Sequence, residues 1–141
     1  MPITSAVCNS FKQEVMLGEH DLDTDVIKMA LFTSSATLGA ATTTYTAVVA
    51  NEISGTGYTA GGKTVTTVAV TLDGSTAIVD FDNVTWASAT FTARGCLIYN
   101  SSKSNKAIAV FDFGEDKSAS SGDFVAQLPA PAAATALIRL A

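Results

Sequence analysis

Basic and catalytic side chains are scarce in this chain of 141 residues. It has two arginines, Arg94 and Arg139, one histidine, two cysteines and one tryptophan, and its formal net charge is −5. Binding to a nucleic-acid backbone requires clustered cations that replace counterions. Attraction to an anionic membrane surface requires them as well. We therefore expect neither nucleic acid nor a membrane as a partner.

The chain also lacks an apolar run long enough to span a bilayer. Its first ten residues contain neither a basic start nor a sustained apolar segment, so no secretory signal is visible. We expect synthesis and assembly in the cytoplasm. Cys8 and Cys96 have no Cys-x-x-Cys spacing, and in a cytosolic chain such cysteines are more often free thiols than a bridge. A disulfide would require the N-terminus to lie against the strand that holds Cys96, and the sequence leaves this open.

Apolar residues make up 48% of the chain, and serine and threonine together supply 32 residues. This composition is typical of a packed domain with pleated surfaces and many turns. The length allows one domain with a real core and is too short for two comfortable ones. We divide the chain into an N-terminal segment, residues 1–24, and a β-sandwich domain, residues 25–141.

One stretch matches a phosphate-binding motif. Gly57 to Thr64 satisfies G-x-x-x-x-G-K-[ST], but that loop works only where it opens a helix. The residues that follow Lys63 are rich in β-branched side chains, which favour a strand. The apolar run that ends at Asp80 resembles a second nucleotide-binding element, but the two matches lie too close together. We predict a glycine-rich surface turn, with Lys63 solvated at the start of a strand, and no cofactor.

A short helix is predicted near the N-terminus. Ser10 to Gln13 has the pattern of a capping box, and Gly18 stands where a C-terminal cap belongs. A helix from Phe11 to Leu17 places Phe11 and Val15 on one face. Such a short helix is marginal alone, so this face must dock on the sheet or on a partner chain. We expect the segment up to Leu17 to lie outside the sandwich.

The rest of the chain alternates between short apolar runs and turn residues, which predicts an antiparallel β-sandwich or a barrel-like domain. The predicted strands are Val26–Thr33, Thr64–Leu72, Ala77–Val84, Thr90–Tyr99, Ala107–Phe113, Phe124–Leu128 and Ala136–Leu140. Turns are predicted at Asp73-Gly74, Asn100–Asn105, Gly114–Gly122 and Pro129–Pro131. The long excursion Ser34–Gly62, with a helical turn at Ala47–Asn51, is of a length that usually serves function or interaction.

Two acidic clusters are candidates for a metal site or an acid–base pair. The segment Glu19–Asp25 contains the only histidine and begins like a calcium loop, but Val26 replaces the required glycine and Phe32 the bidentate glutamate. Zinc would need more nitrogen or sulfur ligands than one histidine supplies. We therefore interpret this segment as a solvated acidic link. Asp80 and Asp82 share one face of a strand, where alternation of polar and apolar residues explains them without chemistry. We predict no metal site and no catalytic residue.

Several motifs resemble those of small structural proteins of tailed bacteriophages, of the head-decoration or capsid cement type. They are Phe11-Lys-Gln-Glu-Val, His20-Asp-Leu-Asp-Thr-Asp-Val-Ile-Lys-Met-Ala-Leu-Phe-Thr, Asn51-Glu-Ile-Ser-Gly-Thr-Gly-Tyr-Thr-Ala-Gly-Gly, Val79-Asp-Phe-Asp and Phe91-Thr-Ala-Arg-Gly-Cys-Leu-Ile-Tyr-Asn. The resemblance covers most of the chain from Phe11 to Leu140. It implies a β-sandwich-like module, often trimeric, on the outer surface of the capsid.

From these observations we expect a non-enzymatic virion protein that binds the major capsid protein and associates with itself as a homotrimer. Phe11, Val15 and Arg94 are the candidate contacts between subunits, because the helix face needs a partner and a lone arginine can pair with an acid across an interface. The alternative is a tail- or fibre-associated module that binds a host surface. Such a site would use exposed loop aromatics, for which Tyr45 and Tyr58 qualify.

Overall fold

Two antiparallel β-sheets carry the fold, as the alternating apolar runs predict. The computed structural model describes residues 2–129 and 131–140. The helix and strands, in chain order, are β1 (Ala6–Val7), α1 (Asn9–Met16), β2 (Ile27–Phe32), β3 (Lys63–Val65), β4 (Thr67–Asp73), β5 (Thr76–Phe81), β6 (Val84–Asn100), β7 (Lys106–Ala126) and β8 (Ile138–Leu140). One sheet has the strand order β1-β7-β6-β2-β3 and the other has β4-β5-β8. The mainly β prediction is confirmed, with two open sheets and not a closed barrel.

The long hairpin of β6 and β7 forms the inner part of the larger sheet. It runs from the pair Val84–Ala126 to the pair Asn100–Lys106. The turn predicted at Gly114–Gly122 is wrong, because β7 continues through this segment. Positive φ angles at Gly114 (87°) and Ser121 (52°) fall where the register between the strands shifts. Residues in the left-handed conformation here form β-bulges, which bend the strand without ending it.

The chain passes from one sheet to the other at Thr66. The predicted strand Thr64–Leu72 is therefore two strands, β3 in the larger sheet and β4 in the smaller one. The turn at Asp73-Gly74 is confirmed, with Gly74 at φ 62°. Short 3-10 helices at Thr46–Asn51 and Ser101–Lys103 occupy two other predicted turn regions. The predicted turn Pro129–Pro131 includes Ala130, which lies outside the described residues.

The helix begins earlier than its capping box predicts. Cys8 is the N-cap residue and makes no side-chain cap, while the Ser10 hydroxyl is buried with no hydrogen-bond partner among the described residues. At the other end the prediction is confirmed. Gly18 has φ 74°, its N–H donates to the Val15 carbonyl, and the next N–H donates to the Glu14 carbonyl. This is a Schellman motif, which requires a left-handed residue such as glycine.

The N-terminal segment is part of the sandwich, so the expectation that it lies outside is wrong. Ala6 pairs with Val110 on the outer side of β7, and the Cys8 N–H donates to the Ile108 carbonyl. Phe11 is buried in the same hydrophobic core as the strands. A helix this short is only marginally stable alone, and burial of its apolar side chains in the core stabilises it. Removal of residues 1–17 would therefore take an edge strand and core side chains from the domain.

Both cysteines are free and buried. Burial raises the pKa of the Cys8 and Cys96 thiols to about 12. A thiol with so high a pKa holds almost no thiolate at neutral pH, and the thiolate is the reactive form. The two cysteines therefore act as small apolar core residues.

Candidate functional site

The phosphate-loop match serves backbone packing. Lys63 opens β3 opposite Met29, and its ammonium donates to the Thr85 carbonyl at 2.6 Å. Gly62 has φ 81°, and a β-carbon there would lie 1.8 Å from the Met29 carbonyl oxygen. The glycine is therefore needed for a close approach of two backbone segments. The prediction that a strand and not a helix follows Lys63 is confirmed.

Glu52 organises the long excursion, although no sequence motif assigns it a role. Its carboxylate accepts hydrogen bonds from the Tyr45 hydroxyl at 2.7 Å, the Tyr58 hydroxyl at 2.5 Å and the Gly61 N–H at 2.8 Å. Burial, together with Glu52, raises the pKa of both tyrosines. The Tyr99 hydroxyl donates to the Gly61 carbonyl at 2.6 Å. The only sequence signal was a lone acid in a long neutral stretch.

The two loop tyrosines are held inside the fold. Tyr45 stacks on Tyr99 with ring centroids 4.5 Å apart, and Tyr58 packs near Trp86 and Phe91. Both are half-buried. The expectation that they are exposed loop aromatics is therefore wrong, because their hydroxyls and rings are used in contacts within the chain.

A buried polar network joins the acidic link to the end of β6. Asn100, with 0% exposure, donates from its amide to Asp25 Oδ2 at 2.8 Å and to His20 Nδ1 at 3.0 Å. Its amide oxygen accepts from the Ser102 N–H at 3.1 Å. Because His20 Nδ1 accepts, the ring proton lies on Nε2, which donates to Glu14 Oε1 at 2.9 Å. Both ring nitrogens are thereby satisfied by groups of this chain.

Asp25 is the charged member of this network. Burial opposes its ionisation, but hydrogen bonds from Asn100, the Asp21 N–H and Lys103 outweigh it and hold the pKa of Asp25 below its usual range. The Lys103 ammonium lies 3.1 Å from Asp25 Oδ2. The interpretation of this segment as a solvated link is therefore wrong for His20 and Asp25, whose side chains are largely buried. Across residues 2–129 and 131–140, no cluster of histidine, cysteine and acidic side chains is arranged to hold a metal ion.

The second acidic pair follows the predicted alternation. Phe81 and Val79 are buried, while Asp80 is half-buried and Asp82 is exposed just beyond the end of β5. The side chains alternate across the strand as the pattern of a sheet with one packed face requires. This arrangement needs no acid–base role for the two carboxylates.

The three candidate interface residues lie in different settings. Phe11 is buried against its own sheet, and Val15 is half-buried beside it. Arg94 donates from Nε to Asp112 Oδ1 at 3.0 Å, so its acidic partner belongs to the same chain. Both members of this pair stay partly exposed. Of the three, Val15 and Arg94 retain surface that a second chain can contact.

Exposed apolar side chains gather around a cleft between α1 and the smaller sheet. The cleft has a volume of about 430 Å³ and is lined by residues of α1, the segment after it, β5 and β8, together with Val70 of β4. Met16 and Leu17 at the end of α1 are exposed, as are Val70, Leu72 and Leu140 of the smaller sheet. These exposed apolar side chains make the surface a candidate for contact with another protein. The sequence did not predict it, because the side chains come from segments far apart in the chain.

A second cleft is lined by β7 and the residue that follows it, Gln127. Its volume is about 340 Å³, and its walls include Phe111, Phe113 and Phe124 together with Lys117 and Asp123. An aromatic floor with a few polar groups is a common arrangement for ligand recognition. This cleft is the second candidate binding surface of the molecule.

Comparison of the chain with protein-family models, with curated proteins and with solved structures found no match. Within the described part of the chain, no helix is long and apolar enough to cross a membrane. Function must therefore be inferred from the residues, contacts and surfaces of this chain.

Proposed function

We propose that this protein is a non-enzymatic structural protein of a tailed-phage particle, a decoration or cement protein that binds the outer surface of the capsid. The observation that carries the proposal is the exposed apolar surface at the end of α1, Met16 and Leu17, next to the cleft. Apolar surface exposed on a folded domain is typical of a protein that binds another protein. The sequence motifs described above supply the resemblance to the capsid-decoration group.

The state of the polar groups supports a binding role. The carboxylate of Glu52 accepts three hydrogen bonds, and His20 is bonded at both ring nitrogens. A general acid or base needs a free position within hydrogen-bond reach of a substrate. These side chains instead tie the long excursion and the acidic link to the sheets. They give a rigid platform for the apolar surface.

The proposed partners are the major capsid protein and other copies of this chain. The resemblance implies a homotrimer, in which one oligomer contacts several capsid subunits at once. Linked weak contacts then give a strong total attachment without any single tight one. Binding to the assembled shell alone stabilises that shell by mass action, by about 2.7 kcal/mol when the free protein is at a hundred times its dissociation constant. Assembly takes place in the host cytoplasm.

The aromatic cleft favours a second candidate, a tail- or fibre-associated module for host-surface binding. Phe111 and Phe113 are partly exposed at its wall, and Lys117 and Asp123 stand at its rim. Aromatic faces flanked by polar groups suit both peptides and sugars. In this function the cleft on β7, and not the end of α1, is the contact surface.

Addition of the purified protein to vacant capsids tests both candidates. A cement protein should bind expanded capsids that lack it, bind compact precursor shells poorly, and raise the melting temperature of the shell. A variant with Met16→Lys and Leu17→Lys should lose this attachment, because it places two charges on the proposed surface. The matched control is Val125→Lys, an exposed apolar residue at the aromatic cleft.

The outcomes separate the two functions. Attachment lost with the Met16 and Leu17 changes but kept with Val125→Lys supports capsid decoration. The tail-associated module would be supported instead if folded protein does not bind vacant capsids but binds host cells, and if Val125→Lys abolishes that binding to cells.

A further inference from the structure

The strands at the ends of the two described sheets differ sharply in length, and β1 covers only Ala109 and Val110 of the long strand β7. β1 has two residues, and β3 and β8 have three each, whereas β4 has seven. Natural proteins protect sheet edges with short strands, lysine, proline or bulges. β4 (Thr67–Asp73) contains no lysine, proline or glycine, and its one register irregularity lies at its start, between Thr67 and Ala69. From Ala69 to Leu72 it is a regular edge without these protections, and at its end Asp73 Oδ2 accepts a hydrogen bond from the Ala133 N–H at 2.6 Å.

This edge is open to solvent. The side chains of Val70 and Leu72 are 51% and 68% exposed, and Thr71 and Asp73 between and beside them are exposed as well. Within the described residues, β5 is the only strand that pairs with β4. In an antiparallel edge strand, every second residue points its N–H and C=O away from the neighbouring strand. The outer side of β4 thus presents a row of main-chain donors and acceptors that fits one kind of partner, an extended strand.

The residue pattern of β4 is complementary to itself. In an antiparallel pair centred on Thr71, Thr71 meets Thr71 of the second copy, and Val70 meets Leu72 at two equivalent places. These are apolar cross-strand pairs of the kind that stabilise a sheet. Asp73 of one copy lies opposite Ala69, and the two Asp73 carboxylates stand about 14 Å apart at the strand rise of 3.4 Å per residue. That distance exceeds the physiological screening length of about 8 Å, so repulsion between them is weak.

We propose that β4 is a self-association edge, through which two copies pair antiparallel about a two-fold axis at Thr71. The two three-stranded sheets then form one continuous six-stranded sheet. The contact is isologous, since the same residues serve both copies, and it closes as a dimer. The pairing needs no capsid and differs in symmetry from the trimer that the resemblance implies. It is therefore tested on the purified full chain alone.

Sedimentation measurements of the full chain give the first test. We expect a monomer–dimer equilibrium, and Leu72→Lys should weaken it about tenfold or more, because each dimer loses two Val70–Leu72 pairs and gains two edge lysines. The matched control is Val49→Lys, whose valine is 43% exposed but lies in the 3-10 helix Thr46–Asn51. It should leave the dimer unchanged. A monomer at high micromolar concentration, or an oligomer that is indifferent to Leu72→Lys, would overturn the proposal.

Disulfide trapping tests the register. Residues directly opposite in an antiparallel pair have β-carbons about 4.5–5.5 Å apart, close enough for a disulfide after small adjustment. Thr71→Cys should form a covalent dimer under mild oxidation, and Asp73→Cys, on the same strand, should not. The native cysteines are buried and do not interfere. Equal cross-linking of both variants, or none with Thr71→Cys, would refute pairing centred on Thr71. Circular dichroism would verify that each variant is folded.

Discussion

Asn100→Ala is the sharpest test of the buried network, because this side chain has 0% exposure and makes three hydrogen bonds. Its removal leaves His20 Nδ1 buried without a donor and takes one donor from the Asp25 carboxylate. A buried polar group left unsatisfied costs about 1–3 kcal/mol. The lost amide also leaves a small space in a packed region. We expect the free energy of unfolding to fall by about 3 kcal/mol, a large part of the 5–15 kcal/mol typical of a domain.

Urea denaturation measures this change directly. With a slope near 2 kcal/mol per molar urea, a loss of about 3 kcal/mol moves the midpoint by about 1.5 M. The matched control is Asn83→Ala, because Asn83 is exposed and makes one hydrogen bond through its side chain, from the Leu128 N–H at 3.1 Å. We expect that variant to lose about 1 kcal/mol. The reasoning fails if the two alanine variants have the same midpoint, since burial of the network is what sets them apart.

Two further predictions concern the backbone and the carboxylates. Gly62→Ala should destabilise the protein by more than Gly74→Ala. Both glycines have positive φ, which costs a residue with a side chain about 1–2 kcal/mol, but a β-carbon clashes with the Met29 carbonyl only at Gly62 and meets open space at Gly74. Equal midpoints of unfolding in urea would refute the close approach at Gly62. The lowered pKa of Asp25 contributes stability that is present above the usual aspartate pKa of about 4 and is lost as the pH falls through the lowered folded value. Acid titration of unfolding should show a shallower loss for Asp25→Asn than for the wild type, and identical slopes would contradict that contribution.

Local signals predicted the parts of the fold that local chemistry decides. The turn at Asp73-Gly74 and the end of α1 at Gly18 follow from residues that adopt positive φ. The segment Gly114–Gly122 has the same turn residues but forms a strand, because β6 offers it partners. The Thr92 hydroxyl lies 2.7 Å from the Ser118 hydroxyl, and the Ser121 N–H donates to the Thr90 hydroxyl. Pairing between strands overrides turn propensity here.

The buried polar network and the exposed edge of β4 could not be predicted, because they depend on contacts between residues that are distant in the sequence. His20 and Asn100 are 80 residues apart in the chain, and Asn100 stands where a turn residue was expected. Its role arises only because β6 ends beside the segment that follows α1. Likewise, the exposed edge at Val70 and Leu72 reads in the sequence as an ordinary apolar strand. Which side of such a strand stays open depends on the sheet order.

Two short edge strands, β1 and β8, pair with strands that are distant in the sequence. β1 (Ala6–Val7) adds to the outer side of β7, where Ala6 pairs with Val110, so this contact closes a long stretch of chain. β8 (Ile138–Leu140) completes the smaller sheet with the last residues of the described chain. Domains dominated by such distant pairings fold in milliseconds to seconds. The hairpin of β6 and β7 has a short loop and a long run of paired residues, so we expect it to form before β1 adds to β7 and before β8 adds to β5.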